Sequence, residues 1–143
     1  MDHDLIIGAV PASMIDLIWD KIEPLIEMVS EKSEDIDIGI AKERLESGKT
    51  LLVTISRGQE VIAINVIDCK TTDTGIKYLS IPITAGTEME NWLEQFLEVA
   101  TAIAQDYGCS EIRGFAVRNG WLKKLKPFGW EELFTTIRYK IGE

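Results

Sequence analysis

The sequence predicts a mixed α/β domain whose central, mostly antiparallel sheet carries helices on both faces. Three observations lead there. Apolar residues recur at helical spacing over Ser13–Ser30, Ile40–Glu46 and Glu88–Tyr107, with charged residues on the opposite face. The centre of the chain changes to β-branched runs separated by turn residues, the signature of strands. The 143 residues, 45% hydrophobic and 27% charged, suit one core, so residues 1–143 are expected to form a single domain.

In the first helix Met14, Ile15, Leu17, Ile18, Ile22, Leu25, Ile26 and Val29 make the apolar stripe, and Ser13 is placed to cap it. Pro24 lies inside that stripe; its ring clashes with the carbonyl four residues earlier, which predicts a kink or two shorter helices. A polar loop, Ser33–Ile38, precedes the short helix that Ser47-Gly48 stops. Leu51–Ile55 and Val61–Ile67, joined by Ser56–Glu60, read as a hairpin, and Ile76–Ile83 as the next strand. Pro82 inside that strand implies an edge, a bulge or a splayed pair. In the long helix Thr87 and Glu90 form a T-x-x-E capping box. Its buried stripe is Leu93, Phe96, Leu97, Ala100, Ile103, Ala104 and Tyr107, with Gly108 as the stop. Strand Glu111–Val117, helix Asn119–Leu125, turn Lys126–Gly129 and strand Leu133–Ile141 complete the chain.

The formal charge of −9 opposes binding to nucleic acid or an anionic membrane. No apolar run nears the roughly 20 residues that span a bilayer, and the start, Met1-Asp2-His3-Asp4, is acidic where a secretory signal is positive. Export by a signal peptide is therefore not expected. Cys69 and Cys109 have no metal-ligand spacing, and His3 is the one histidine. A zinc finger, a disulfide framework and a hydrolase with a core histidine are disfavoured, and no metal is expected. The two thiols read as packed. Trp19, Trp92 and Trp130 read as core, whereas Trp121, before Lys123 and Lys124, is the tryptophan expected at the surface.

The element order, with Gly129-Trp130 between a short helix and a final strand, resembles the GNAT acyltransferase superfamily. The fold it implies is a GNAT-like, mixed, mostly antiparallel sheet flanked by helices on both faces. The tail Tyr107-Gly108-Cys109, Ile112-Arg113-Gly114, Arg118-Asn119-Gly120-Trp121, Leu125–Trp130 and Thr136–Lys140 further resembles the small GNAT-like proteins encoded by tailed bacteriophages. Trp19, Glu23–Ile26 and Gly48 fit the same pattern.

The resemblance implies a loop, usually R/Q-x-x-G-x-G/A, whose amides hold the pyrophosphate of acetyl-CoA at a helix start. The corresponding segment is Thr84–Glu90, and if acetyl-CoA binds, Ile83, Ala85, Gly86 and Thr87 are the residues implied. This segment has one glycine, no arginine or glutamine, and carboxylates at Glu88, Glu90 and nearby Glu94, which repel a pyrophosphate. The tyrosine acid of the superfamily falls at Leu125, which donates no proton, and its frequent asparagine falls at Arg118 beside Asn119. Tyr78 and Tyr107 read as packing residues, and Asp68 and Asp73 as solvated carboxylates. No catalytic residue is therefore assigned, and no cofactor is expected in the usual mode, with acetyl-CoA as the alternative.

Residues 1–112 carry 8 basic and 21 acidic side chains, a balance of −13; residues 113–140 carry 7 and 2, a balance of +5. Either the basic segment pairs with carboxylates of the domain, or the surface is bipolar and fits charged protein partners. Arg118, Trp121, Lys123, Lys124 and Lys126 are the interface candidates. The resulting expectation is a phage or prophage protein without acyl transfer, acting as a virion-associated or assembly protein through phage or host proteins. The alternatives are an acetyl-CoA-dependent N-acyltransferase with a degenerate loop, and a small regulatory protein whose acidic face masks a basic partner.

Overall fold

The computed structural model describes residues 4–114 and 119–142, with 119–121 as backbone. Five strands follow one another across a single sheet: β1 (Leu5–Val10), β2 (Leu51–Arg57), β3 (Glu60–Thr71), β4 (Lys77–Gly86) and β5 (Glu111–Gly114). The first four form an antiparallel meander. The fifth runs parallel to β4, and a parallel neighbour requires a long crossover, supplied by α3 (Met89–Asp106). Helices α1 (Ile15–Ser30) and α2 (Ile38–Glu46) cover one face, burying Ile15, Trp19, Ile22, Ile26 and Leu45 against Leu52, Ile64, Val66, Ile83 and Ala85. On the other face α3 sets Trp92, Leu93, Phe96, Ala100 and Ala104 against Val53, Ile55, Ile67, Leu79 and Ile81; Leu125 from α4 (Asn119–Leu125) joins them. The sheet thus carries helices on both faces.

Several local expectations are corrected. The sequence pattern gives no strand before the first helix, yet β1 forms the sheet edge; its run LIIGAV has no alternation to separate strand from buried helix. Helix α1 is one uninterrupted helix, because Pro24 lies on its exposed side, where water satisfies the carbonyl that loses its donor. Ser13 belongs to a short 3-10 turn, Ala12–Met14, and does not cap α1. Helix α2 starts two residues before the expected Ile40 because the Asp37 side chain accepts from the Ile40 amide at 2.9 Å. Tyr107 is not part of the buried stripe: it is 52% exposed.

Strand β4 meets one of the three options that Pro82 leaves open, the bulge. A register shift in β3 between Val66 and Asp68 faces it, and the pairing of β4 with β5 is described up to Ile81–Gly114. Toward β3 the ladder continues to Ala63–Gly86. The approach there is tight. A Cβ on Gly86, whose φ is +128°, would lie 2.3 Å from the Ile62 carbonyl oxygen and 2.4 Å from Ala63 Cα.

The expected strand Leu133–Ile141 is absent: residues 130–140 have no regular structure and those after Trp130 are exposed. The strand expected to reach Val117 is described to Gly114, and residues 115–117 lie outside the described residues. Because backbone, not a flexible side chain, blocks a methyl at Gly86, Gly86→Ala is expected to destabilise by roughly 2–4 kcal/mol. Urea unfolding measures this; a loss below about 0.5 kcal/mol would show that β3 and β4 separate easily there.

Candidate functional site

Of the residues implied for a cofactor, Ile83 and Ala85 point their side chains into the α1-side core, and Gly86 ends the β3–β4 ladder. The Thr87 amide donates to the Ile62 carbonyl at 3.0 Å, and its own carbonyl accepts from Trp92 Nε1 at 2.8 Å. Gly86 and Thr87 are thus committed to β3 and α3. The T-x-x-E capping box does not form, because the residue at the N-cap position is Glu88 and no side chain caps α3. Glu88 adopts φ +60°, a left-handed conformation unusual for a residue with a Cβ. Its carboxylate is gripped by Arg57, Nη1 to Oε2 at 2.7 Å and Nη2 to Oε1 at 2.9 Å, and accepts from Asn91 Nδ2 at 3.0 Å. Two parallel charge-assisted bonds fix its orientation.

The acetyl-CoA expectation meets this geometry poorly. A pyrophosphate needs free amides at the start of α3, where the chain presents the Glu88 carboxylate, an already bonded Thr87 amide and Glu90 in the first turn. The residues present do not fit the cofactor in the superfamily's usual mode.

The remaining catalytic candidates scatter. Leu125, in place of the acid, is a core residue at 6% exposure. The Arg113 guanidinium lies 4.3 Å from the Tyr78 ring centre, so Tyr78 stacks. Asp73 is exposed, whereas Asp68 is half-buried, with Oδ1 shielded and unpartnered among the described residues. Sequence reasoning missed Asn65. It is fully buried, accepts from Thr84 Oγ1 at 2.7 Å and leaves its Nδ2 without a partner among the described residues; a lone polar residue within an apolar run was the available signal. A cavity of about 340 Å³ opens between β1, β2 and α1, lined by Val10, Met14, Ile18, Thr54 and Val61. None of Ile83–Thr87 lines it. Among the described residues no group of three or more His, Cys, Asp or Glu side chains is arranged to hold a metal, and no helix is long and apolar enough to cross a membrane.

The basic segment divides between the two readings offered by the sequence. Arg113 pairs with Glu111 at 2.9 Å, and Arg138 with Glu34. Lys123, Lys124 and Lys126 are exposed. Arg118 and the side chain of Trp121 lie outside the described residues, as does His3. The thiols are not both packed: Cys69 is exposed, and its Sγ lies 3.4 Å from that of Cys109. Burial, then the hydrogen bond shared with Cys69, pushes the Cys109 thiol above its ordinary value. A raised value keeps the unreactive protonated form, so near neutral pH Cys109 is expected to alkylate severalfold more slowly than Cys69. Peptide mapping after iodoacetamide treatment measures this, and urea is expected to abolish the difference.

No protein-family model matches the chain, and no curated protein matches it in sequence. Solved structures do match. An aminoglycoside acetyltransferase from an uncultured soil metagenomic sample, in complex with trehalose, superposes with a TM-score of 0.73 at 14% identity, covering 98% of each chain. A ribosomal-protein-alanine N-acetyltransferase from Brucella melitensis biovar Abortus 2308 gives 0.72 at 10% identity, over 96% of this chain and 99% of its own. The aminoglycoside N-acetyltransferase AAC(6')-Iy in complex with CoA gives 0.72 at 11% identity, over 96% and 95%. The likeness runs along nearly the whole chain, which has the GNAT acetyltransferase fold.

Proposed function

We propose that this chain is a GNAT-fold protein that does not transfer acyl groups and works by binding other proteins, as a virion-associated or assembly protein of a phage or prophage. One observation carries the loss of transfer. The helix start that would receive a cofactor's pyrophosphate is closed by the chain's own Arg57–Glu88 pair and by the Thr87–Ile62 hydrogen bond. Binding to proteins is supported by exposed Lys123, Lys124 and Lys126 on a chain whose first 112 residues balance to −13. Oppositely charged regions of one surface steer charged partners and set their orientation. The phage setting rests on the resemblance of Gly108–Lys140.

The second reading is an acetyl-CoA-dependent N-acyltransferase. It is favoured by a fold neighbour that carries CoA.

Acetyl-CoA separates the two. Thermal unfolding and calorimetry of the wild-type chain are expected to show no stabilisation by millimolar acetyl-CoA, whereas ligand at 100 times its Kd would contribute about 2.7 kcal/mol. Micromolar binding would overturn the first reading. Glu88→Gly keeps the backbone conformation while removing the carboxylate; acquisition of binding in that variant alone would identify the carboxylate as the barrier. For the protein-binding role, purified particles analysed by mass spectrometry are expected to contain the chain. Lys123→Glu with Lys124→Glu is expected to weaken its salt-dependent retention at least tenfold, and unchanged retention would remove that surface from the interface.

A further inference from the structure

The chain has two cysteines, 40 positions apart, and the fold brings their sulfurs to 3.4 Å. Each is carried by backbone that is itself held. Cys69 lies near the end of β3, paired with Leu79 of β4. Cys109 follows the stop of α3, and its amide donates to the Ala104 carbonyl at 2.8 Å. The next amide, of Ser110, donates to the Lys77 carbonyl at the start of β4, also at 2.8 Å. Strand β4 thus fixes both thiols relative to one another.

Apolar packing does not account for this contact. Cys69 is exposed and Cys109 half-buried, so the pair lies at the surface. Nor does a domain of this size need a staple, since apolar burial sustains it. What adjacent thiols offer there is chemistry. A disulfide bond is about 2.05 Å long, so closing it moves the sulfurs by about 1.4 Å, within reach of side-chain rotation. A cavity of about 170 Å³ opens beside Cys69, lined also by Lys49, Asp68 and Tyr107. It admits a hydroperoxide, since one water occupies about 30 Å³ of the liquid. The Lys77 ammonium lies 3.9 Å from the Cβ position of Gly108, and its charge favours the thiolate of neighbouring Cys109.

We propose that Cys69 and Cys109 are a reversible redox pair that hydrogen peroxide closes to a disulfide, tying the end of β3 to the turn between α3 and β5. The Cys69 thiolate attacks one peroxide oxygen. The O–O bond breaks, the second oxygen leaves as water with the thiol's proton, and Cys69 becomes a sulfenic acid. The Cys109 sulfur then attacks the Cys69 sulfur. The S–S bond forms, the S–O bond breaks, and the hydroxyl leaves as water with the Cys109 proton. Two thiols thereby lose two electrons and two protons, and one peroxide becomes two waters. A thiol reductant reaches exposed Cys69 and reverses the bond. The closed loop contains all of β4 and α3, so the bond constrains the unfolded chain most. The pair works whether or not the chain transfers acyl groups.

The full chain, treated with a small excess of hydrogen peroxide, is expected to lose both free thiols and two hydrogens by intact mass. Peptide mapping is expected to recover Cys69 and Cys109 in one cross-linked product. The thermal unfolding midpoint is expected to rise by roughly 5–15 °C and to return when dithiothreitol is added. Cys109→Ser is expected to stop at the Cys69 sulfenic acid, trapped by dimedone, with no rise in midpoint. Cys69→Ser is expected to leave Cys109 unoxidised at the dose that closes the wild-type pair. A wild-type chain whose thiols stay free, whose Cys69 oxidises without joining Cys109, or whose cysteines link to another copy overturns the proposal. A disulfide that leaves the midpoint unchanged overturns it too, because the bond then ties nothing together.

Discussion

The ladder between β3 and β4 is the constraint on which the candidate site depends. It runs to Ala63–Gly86 and brings the backbones so close that Gly86 has no room for a Cβ. Everything after Gly86 is placed by that approach. Thr87 completes the ladder with one more bond to Ile62, the chain turns through a left-handed Glu88, and α3 departs with Trp92 reaching back to the Thr87 carbonyl. Arg57 ends β2 one hairpin turn from β3 and so meets the Glu88 carboxylate. A glycine that looks like part of an anion cradle is thus required by strand packing, and the amide next to it is already bonded.

The two ends of the chain differ in how completely they are packed. The meander from β1 to β4 is covered on both faces, with Leu52, Val53, Ile55, Ala63 and Ile64 excluded from water. Such cores resist any change of volume. From β5 onward α4 contributes Leu125 to the core, and the described residues after Trp130 are exposed. The basic excess of the chain falls in this same third of the sequence, beside exposed Leu133, Phe134, Ile137, Tyr139 and Ile141.

Much of this fold is legible in the sequence because local pattern and tertiary packing agree. The stripe from Leu93 to Ala104, the β-branched runs of β2 and β3, and the stop at Gly108, φ +73°, all report burial or backbone conformation directly. Where they disagree, tertiary context decides. Pro24 signals a break, but the carbonyl it deprives faces water. Leu133–Ile141 alternates as a strand should, yet a strand also needs an edge to join, and that is not encoded in its own residues. The site was legible only as a mismatch: the missing glycines and extra carboxylates of Thr84–Glu90 are visible, but the Arg57 grip on Glu88 joins residues 31 positions apart. The unpaired Asn65 amide and the adjacent thiols of Cys69 and Cys109 depend in the same way on strand register.

Glu88 separates a loop built for a ligand from one built for itself. A left-handed residue with a Cβ costs about 1–2 kcal/mol relative to glycine, and a buried anion site would gain from glycine twice, in backbone freedom and in closeness of approach. The glutamate offsets its strain by a bidentate pair with Arg57 and a bond from Asn91. Its carboxylate then stands at the positive end of the α3 dipole, where a negative group is favourable without any ligand. The arginine that might have met a phosphate is itself occupied by the glutamate. Strain, charge and hydrogen bonding are all resolved within the chain, and resolved in a way that a bound polyanion would have to undo.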